Sequence, residues 1–342
     1  MTTRRLSTIA LAAAALAALP SCSGNFDPAS KIQSVRVLGL KADKPYAKPG
    51  DTVTLEMLAV DRRPNQDRPM TIYWLPFVCT NPPSDAYFGC FTPRAQLTGP
   101  NGETGAPGGV TPGAGDVTGL LPKGSTFSYK IPANAVSAHP PVAGSNGAYG
   151  LSVVFYLACA GRVRFATRDE ASANPQQVPI FCVDDDGNRL GADDYVLGFW
   201  RTYVYEDRPN ANPVIEGVRV NGEAADLTKP IAITACADAK SQDCAPVKVD
   251  VVVPPSSQED KPYDPDAPKE RVWVSAFADV GDVGSATRLL YDTKAGAITD
   301  NPVELRADLD EVGKSGTLWL VVRDNRGGGA WTSVPLTVVR AP

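Results

Sequence analysis

The sequence predicts an all-β chain built as two sandwiches in tandem, and three observations carry that prediction. Apolar residues recur with period two in short segments. Glycine, proline and aspartate punctuate those segments, and the opening segment of the first half recurs in the second. In the first half, strand-like runs fall at 35–40, 52–60, 71–79, 126–131, 151–159, 178–183 and 196–206. Val35 and Val37 flank Arg36, and then Leu38 and Leu40 flank Gly39, a one-residue slip of the kind a β-bulge produces. The run 52–60 alternates cleanly after the turn signal Lys48-Pro49-Gly50-Asp51. Outside the N-terminal segment no window of helical length shows a 3.6 period, and one turn near 308–312 is the only other helical candidate.

A polar, proline-bearing linker at 207–213 separates the halves. Beyond it, runs fall at 214–220, 231–236, 247–253, 271–277, 303–307, 317–323 and 331–339. Ile32, Val35, Arg36 and Val37 match Ile215, Val218, Arg219 and Val220 in the pattern I-x-x-V-R-V, and both halves end on an apolar strand, a turn and a closing strand. Two copies of one sandwich explain this economically. Trp74 then falls on the third predicted strand of the first copy and Trp273 on the fourth of the second, and both are read as core residues.

Composition narrows the function classes. The chain has 342 residues, enough for two domains with real cores. Its formal charge of -5 and pI near 5.1 argue against a nucleic-acid binder, which must neutralise phosphates. His139 is the only histidine, which removes most metal sites and most acid–base machinery.

The N-terminus reads as an address. Arg4 and Arg5 precede an apolar stretch at 9–19 that is too short to span a bilayer, as in a secretory signal peptide. Leu19-Pro20-Ser21-Cys22 resembles the lipobox of bacterial lipoproteins, with Pro20 a departure from the usual residue there. The resemblance implies cleavage before Cys22, a diacylglycerol on its sulfur and an acylated amine, which together anchor stably. Ser23 after Cys22 implies the outer membrane rather than retention at the inner one. Residues 23–30 then form a polar tether, at most roughly 28 Å long, that keeps the first domain close to the bilayer.

There are seven cysteines. With Cys22 assigned to the lipid, six remain in an oxidising compartment. Their spacing suggests the local pairs Cys79–Cys90, Cys159–Cys182 and Cys236–Cys244. A metal site is the poorer reading, because no C-x-x-C pair occurs and histidines do not cluster.

The segment 316–329 (GTLWLVVRDNRGGG) followed by Trp331 resembles the last hairpin of bacterial immunoglobulin-like modules, where a strand, an R-D-x-R-G-G turn and a closing strand recur. Lys48-Pro49-Gly50-Asp51 with Val53 and Leu55 is similar to the entry into the second strand of such modules. With the lipobox, the chain resembles uncharacterised outer-membrane lipoproteins carrying tandem immunoglobulin-like modules. The resemblance implies architecture and transfers no catalytic residue.

Candidate chemistry is sparse. The segment 184–194 carries Asp184, Asp185, Asp186, Asn188, Asp193 and Asp194, hard oxygens of the kind calcium takes. Asp184, Asp186 and Asn188 have the 1-3-5 spacing of an EF-hand loop, but Arg189 stands where its glycine belongs and Tyr195 where its glutamate does. A solvated acidic turn around Gly187 is the favoured reading; a calcium site of Asp184, Asp186, Asn188, Asp193 and Asp194 is the competing one. The Gly- and Pro-rich stretch 99–124 reads as an insertion able to form a binding lip. His139, between Ala138 and Pro140, has no nucleophile signature near it. Phe199, Tyr203 and Tyr205 are read on one face of a strand and Trp200 on the other; one face must be core and the other is free to stack on sugar or peptide.

The sequence therefore predicts a signal peptide at 1–21, a lipidated tether at 22–30, an immunoglobulin-like sandwich at 31–207 with an insertion at about 92–125, and a second at 208–342. The expected function is non-catalytic: binding, adhesion or scaffolding at the bacterial outer membrane on a rigid two-module stalk, with no cofactor unless calcium. The expected partners are the membrane and an envelope protein or glycan, and no nucleic acid. A calcium- or carbohydrate-binding surface module is the alternative, and a glycoside hydrolase with a carboxylate pair stands behind both.

Overall fold

The computed structural model describes residues 28–341, apart from 93–94, 104–114, 142–146, 174–176, 242, 262–263, 265 and 267. Cys22 and the signal segment lie outside the described residues, as does most of the Gly-rich insertion. The first module runs through β1 (Val35–Ala42), β2 (Tyr46–Ala47), β3 (Thr52–Asp61), β4 (Thr71–Trp74), β5 (Val78–Thr80), β6 (Gln96–Thr98), β7 (Thr126–Lys130), β8 (Gly150–Cys159), β9 (Arg162–Phe165), helix α1 (Arg168–Ala173), β10 (Ile180–Val183) and β11 (Tyr195–Val204). The second contains β12 (Gly217–Val220), β13 (Glu223–Ala224), β14 (Ile231–Thr234), β15 (Val247–Val252), β16 (Val272–Ala278), β17 (Asp282–Gly284), β18 (Thr287–Asp292), β19 (Gly296–Ala297), β20 (Val303–Arg306), β21 (Ser315–Asp324) and β22 (Gly329–Val339).

Both modules are immunoglobulin-like sandwiches. One sheet is ordered β1-β3-β7 in the first and β13-β12-β15-β20-β17 in the second; the facing sheet is β2-β11-β8-β5-β6, with β4 also on β8, and β14-β22-β21-β16-β18-β19. In each, a short strand after the first leaves its sheet and pairs in parallel with the closing strand, β2 with β11 and β14 with β22. Strands β4 and β16 occupy the same place, against β8 and β21. The two tryptophans are therefore on equivalent strands, and the apparent offset arose because β2 is only two residues long. They point oppositely. Trp74 is fully buried and stacks on Phe127 at 5.3 Å, whereas Trp273 is half-buried and outside every core cluster. The reading of Trp273 as core is corrected: β16 buries Val272, Val274 and Ala276, so the odd-numbered residue between them faces outward.

The first module carries two cores. Val53, Leu55, Trp74, Phe127 and Val154 fill the space between its sheets. A second cluster with Phe77, Val153, Phe155, Leu157, Phe165 and Ile180 lies on the other face of β8. This explains why β8 is buried along nearly its whole length rather than alternating. The cover over that face comes from the segment after β5 and from the β9–β10 hairpin, and disulfides staple both. Cys79–Cys90, Cys159–Cys182 and Cys236–Cys244 are bonded, with Cα–Cα separations of 5.7, 5.8 and 5.7 Å. Helix α1 was not foreseen. Its six residues are too few for a visible period; a capping box sets it, Thr167 Oγ1 accepting from the Glu170 amide while Glu170 accepts from the Thr167 amide.

The modules lie sheet against sheet, not end to end as a stalk would. The slip at Val37/Gly39 is a real register shift. It lets Leu38 turn away from the first core and join Ile32, Trp319 and Val321 in a buried cluster between the modules, flanked by Leu58, Val60, Phe277 and Trp331. Gly39 is required there: a Cβ would stand 3.0 Å from the Trp331 ring. Lys41 sits 4.3 Å over Trp331, Arg62 pairs with Asp279 at 2.8 Å, and Lys31 with Glu311 at 2.9 Å. The linker is clamped as well. Asn212 donates to Ala42 O at 2.7 Å and accepts from the Gly329 amide at 2.9 Å, bridging the two modules with one carboxamide.

The R-D-x-R-G-G turn completes that clamp. Asp324 Oδ1 accepts from the amides of Arg326 and Gly328 at 2.7 and 2.8 Å. Arg326 reaches Glu270 at 2.8 Å and also Glu259. Gly328 fits between the Asp324 carboxylate and the Ala211 carbonyl of the linker, where a Cβ would clash with both. Glu270 is wholly buried. Burial, together with the Asp324 charge, pushes its carboxyl up to about 7 against the pull of Arg326.

Two expectations follow. Non-reducing peptide mapping should return the three local disulfides and no bridge between the modules. A carboxyl raised from 4.5 to about 7 on folding adds stability that is full below pH 4.5 and lost as pH rises towards 7. The urea midpoint should therefore fall between pH 5 and pH 8, and Glu270→Gln, which does not ionise, should flatten that fall. An equally steep fall in the variant would refute the assignment.

Candidate functional site

The outer face of β11 changes character along its length. Tyr195, Leu197 and Phe199 pack under the covering layer against the second core. Beyond Phe199 the cover ends, and Arg201 and Tyr203 stand in solvent, with Tyr203 38% exposed. Alternation places Trp200 on the opposite face, against the inter-sheet core, its indole donating to Thr202 at 3.1 Å. The expected division of Phe199 and Tyr203 from Trp200 is thus what the strand shows. Tyr205 lies past the strand end but rejoins its neighbours.

An aromatic ledge forms here from residues far apart in sequence. The Tyr203 and Tyr205 rings are nearly parallel at 6.4 Å; Tyr149 lies 5.8 Å from Tyr203, and Tyr46 lies 4.8 Å from Tyr205. Arg208 sits 4.8 Å over Tyr205 and Arg201 5.0 Å over Phe199, on which Tyr87 stacks at 4.5 Å beside the exposed Phe88. Tyrosine and arginine are the residue types that concentrate binding energy at interfaces. Tyr46 and Tyr149 carried no sequence signal. Tyr46 lies on the two-residue β2 and Tyr149 just before β8, and only the sheet ends bring them together.

A hydrogen-bonded pin holds the ledge from beneath. Asp85 accepts from Tyr149 Oη at 2.5 Å and contacts His139 Nε2 at 2.8 Å, and the His139 and Tyr149 rings are 4.4 Å apart. Asp85 and Ser84 both have positive φ, 55° and 58°, strain held by the turns that Cys79–Cys90 closes. Burial, then the Asp85 carboxylate, pushes the Tyr149 phenol well above the usual tyrosine range, so it remains a donor. His139, with a side chain only 5% exposed, is bound to a carboxylate and to no hydroxyl or thiol among the described residues.

The acidic turn is placed less like a metal cage. Asp184 Oδ1 accepts from the amides of Asp186 and Asn188 at 3.0 and 2.8 Å, and its Oδ2 from the Asn188 carboxamide at 3.2 Å. Gly187 takes the left-handed position, φ 86°. Asp194 instead pairs with Arg63 at 2.8 Å, and the Asp193 carbonyl accepts from Val35. The structure therefore does not bring Asp184, Asp186, Asn188, Asp193 and Asp194 into one group. Among the described residues no three His, Cys, Asp or Glu side chains converge as metal ligands do.

One cleft of about 500 Å³ in the second module is lined by Arg219, Lys248, Asp250, Leu290, Ile298 and Asp300, among others. Burial pushes the Asp250 carboxyl up, Arg219 opposes this, and the Asp300 charge adds to it.

No protein-family profile matches the chain, and no curated protein does. Solved structures are matched at low similarity. Tandem Ig repeats of Dlar share 11% identity over 90% of this chain and 100% of that one, at a TM-score of 0.22. The N-terminal Ig1-2 module of the Drosophila receptor protein tyrosine phosphatase DLAR shares 11% over 90% and 99%, at 0.21. A Ca2+-stabilised adhesin with which an Antarctic bacterium binds ice shares 12% over 92% of this chain and 51% of its own, at 0.21. Such scores support no inference about function; the strand order above carries the fold. For the ledge, Asp85→Asn keeps a residue that tolerates positive φ and removes the charge. In ultraviolet titration one tyrosine should then ionise at lower pH, with a loss of about 1–2 kcal/mol of stability.

Proposed function

We propose that this chain is a non-catalytic binding protein of the bacterial cell envelope, held at the outer membrane by lipid on Cys22. The observation that supports it is the ledge of Tyr46, Tyr149, Tyr203 and Tyr205 with Arg201 and Arg208, partly solvent-facing on a module stiffened by two cores and two disulfides. Rings fixed in place bind with little loss of conformational entropy, and their faces suit the apolar face of a sugar or a peptide side chain. The sheet-on-sheet packing adds a second module that does not swing, which suits adhesion or scaffolding. Among the described residues calcium has no converging acidic group in its favour.

A hydrolase has one observation in its favour, since Asp250 and Asp300 share a cleft. Burial raises the Asp250 carboxyl, the direction a general acid needs, while Arg219 and Lys248 pull the other way. Asp250→Asn should leave glycan binding at the ledge untouched, and turnover of an aryl glycoside by the wild-type protein would revive the enzyme reading.

Cys22→Ala should move the protein from the membrane to the soluble fraction. Protease shaving of intact cells should then report the face: loss of the chain would place it outside, and protection until the outer membrane is permeabilised would place it in the periplasm. Retention on envelope glycan or protein should fall roughly tenfold or more in Tyr149→Ala/Tyr203→Ala. Unchanged retention would refute the ledge.

A further inference from the structure

The first sandwich has an opening between its sheets at the edge strand β6. It is a cavity of about 480 Å³, within the range of small-molecule sites. Its lining combines Thr80, Gln96, Leu97 and Thr98 from β5 and β6 with Lys130, Ile131, Pro132, Ala133 and Asn134 at the end of β7. Asn101 and Gly102, the first residues of the glycine-rich insertion, form its lip.

Three facts make it more than a gap in the packing. Thr80 is only 3% exposed and its Oγ1 has no hydrogen-bond partner among the described residues; Thr98 Oγ1 has none there either. Across the sheet, Ser152, the register partner of Thr80, holds a third unpartnered hydroxyl. Three of the four buried hydroxyls without partners among the described residues are thus on adjoining strands at this end of the sandwich. Buried hydroxyls in native proteins are nearly always satisfied. Secondly, the carboxamides of Gln96 and Asn134 make no hydrogen bond among the described residues, and Asn101 donates only to Glu103, at 3.0 Å. Thirdly, Lys130 lays its stem against Gly102, whose φ is 89°, and its ammonium makes no ion pair among the described residues. Among the described residues no carboxylate lines the cavity.

We propose that this cavity binds a sugar ring bearing a carboxylate, a uronic acid unit of an envelope or extracellular polysaccharide. Carboxamides and threonine hydroxyls donate and accept at once, which matches ring hydroxyls. Ile131 and Pro132 supply an apolar wall for the C–H face of the ring, and Lys130 meets the acid. The site is separate from the aromatic ledge and does not depend on it.

The test is ligand-observed NMR on the full chain with D-glucuronate and D-glucose as probes. Glucuronate should bind roughly five- to tenfold more tightly than glucose. Lys130→Met, an exposed change that leaves the core intact, should erase the difference. Thr80→Val, nearly isosteric, should weaken both probes roughly three- to tenfold without lowering the melting temperature, because the hydroxyl has no partner in the protein to lose. Tyr203→Ala should change neither affinity. Saturation by neither sugar, equal affinity for the two, or unchanged binding in Thr80→Val would each overturn the proposal.

Discussion

Arg326 is the point on which the arrangement of the two modules depends. Its guanidinium lies 5.6 Å from the Tyr46 ring of the first module while bonding to Glu270 and Glu259 of the second. The same turn presents Gly329 to Asn212 and Gly328 to the Ala211 carbonyl, so the linker is held by the structure it connects. Without Arg326 the wholly buried Glu270 loses its cation, at a cost of several kcal/mol if charged, whereas Arg326 without Glu270 keeps Glu259. The R-D-x-R-G-G motif therefore has a physical content. Aspartate ties the turn, arginine reaches the buried acid, and glycine leaves room for the linker carbonyl.

With the linker fixed, the sheets between the modules have to be apolar on both faces. Leu38, Leu58 and Val60 serve the contact from one side, and Phe277, Trp319 and Val321 from the other. Cations rim it, Lys41 and Arg62 lying over the tryptophan rings. The same logic runs through the first module. Its facing sheet is covered on the outside by disulfide-stapled segments, and the cover stops short of Tyr203. The ledge is what remains where apolar sheet surface is neither core nor cover, and such surface marks interaction sites.

Much of the fold was legible in the sequence. Period two located nearly every long strand, the Leu38–Gly39 slip announced the bulge, and local cysteine spacing anticipated bonds that the structure forms. What escaped was whatever lacked length or locality. Strands β2 and β13 are two residues each, α1 is six, and β18 carries charges that blur its alternation. The ledge was half visible, since Tyr203 and Tyr205 share a strand region whereas Tyr46, Tyr149 and Asp85 reach it from three separate segments. The acidic turn misled in the opposite direction. Its 1-3-5 spacing is shared by calcium loops and by Asx turns, and the backbone amides decide between them.

The sequence by itself determined the class of the protein: all-β, two modules, oxidised cysteines, acidic and almost free of histidine. Those properties are local, because alternation and turn residues act through the backbone of a few neighbouring positions. Only the tertiary structure decided that the modules pack side by side, that β8 is buried on both faces, and that Trp273 faces outward where Trp74 faces in. It also decided which polar groups are left without partners around the edge cavity. Each of these depends on contacts between residues more than a hundred positions apart, or on which face a neighbouring sheet covers, and neither leaves a period in the chain.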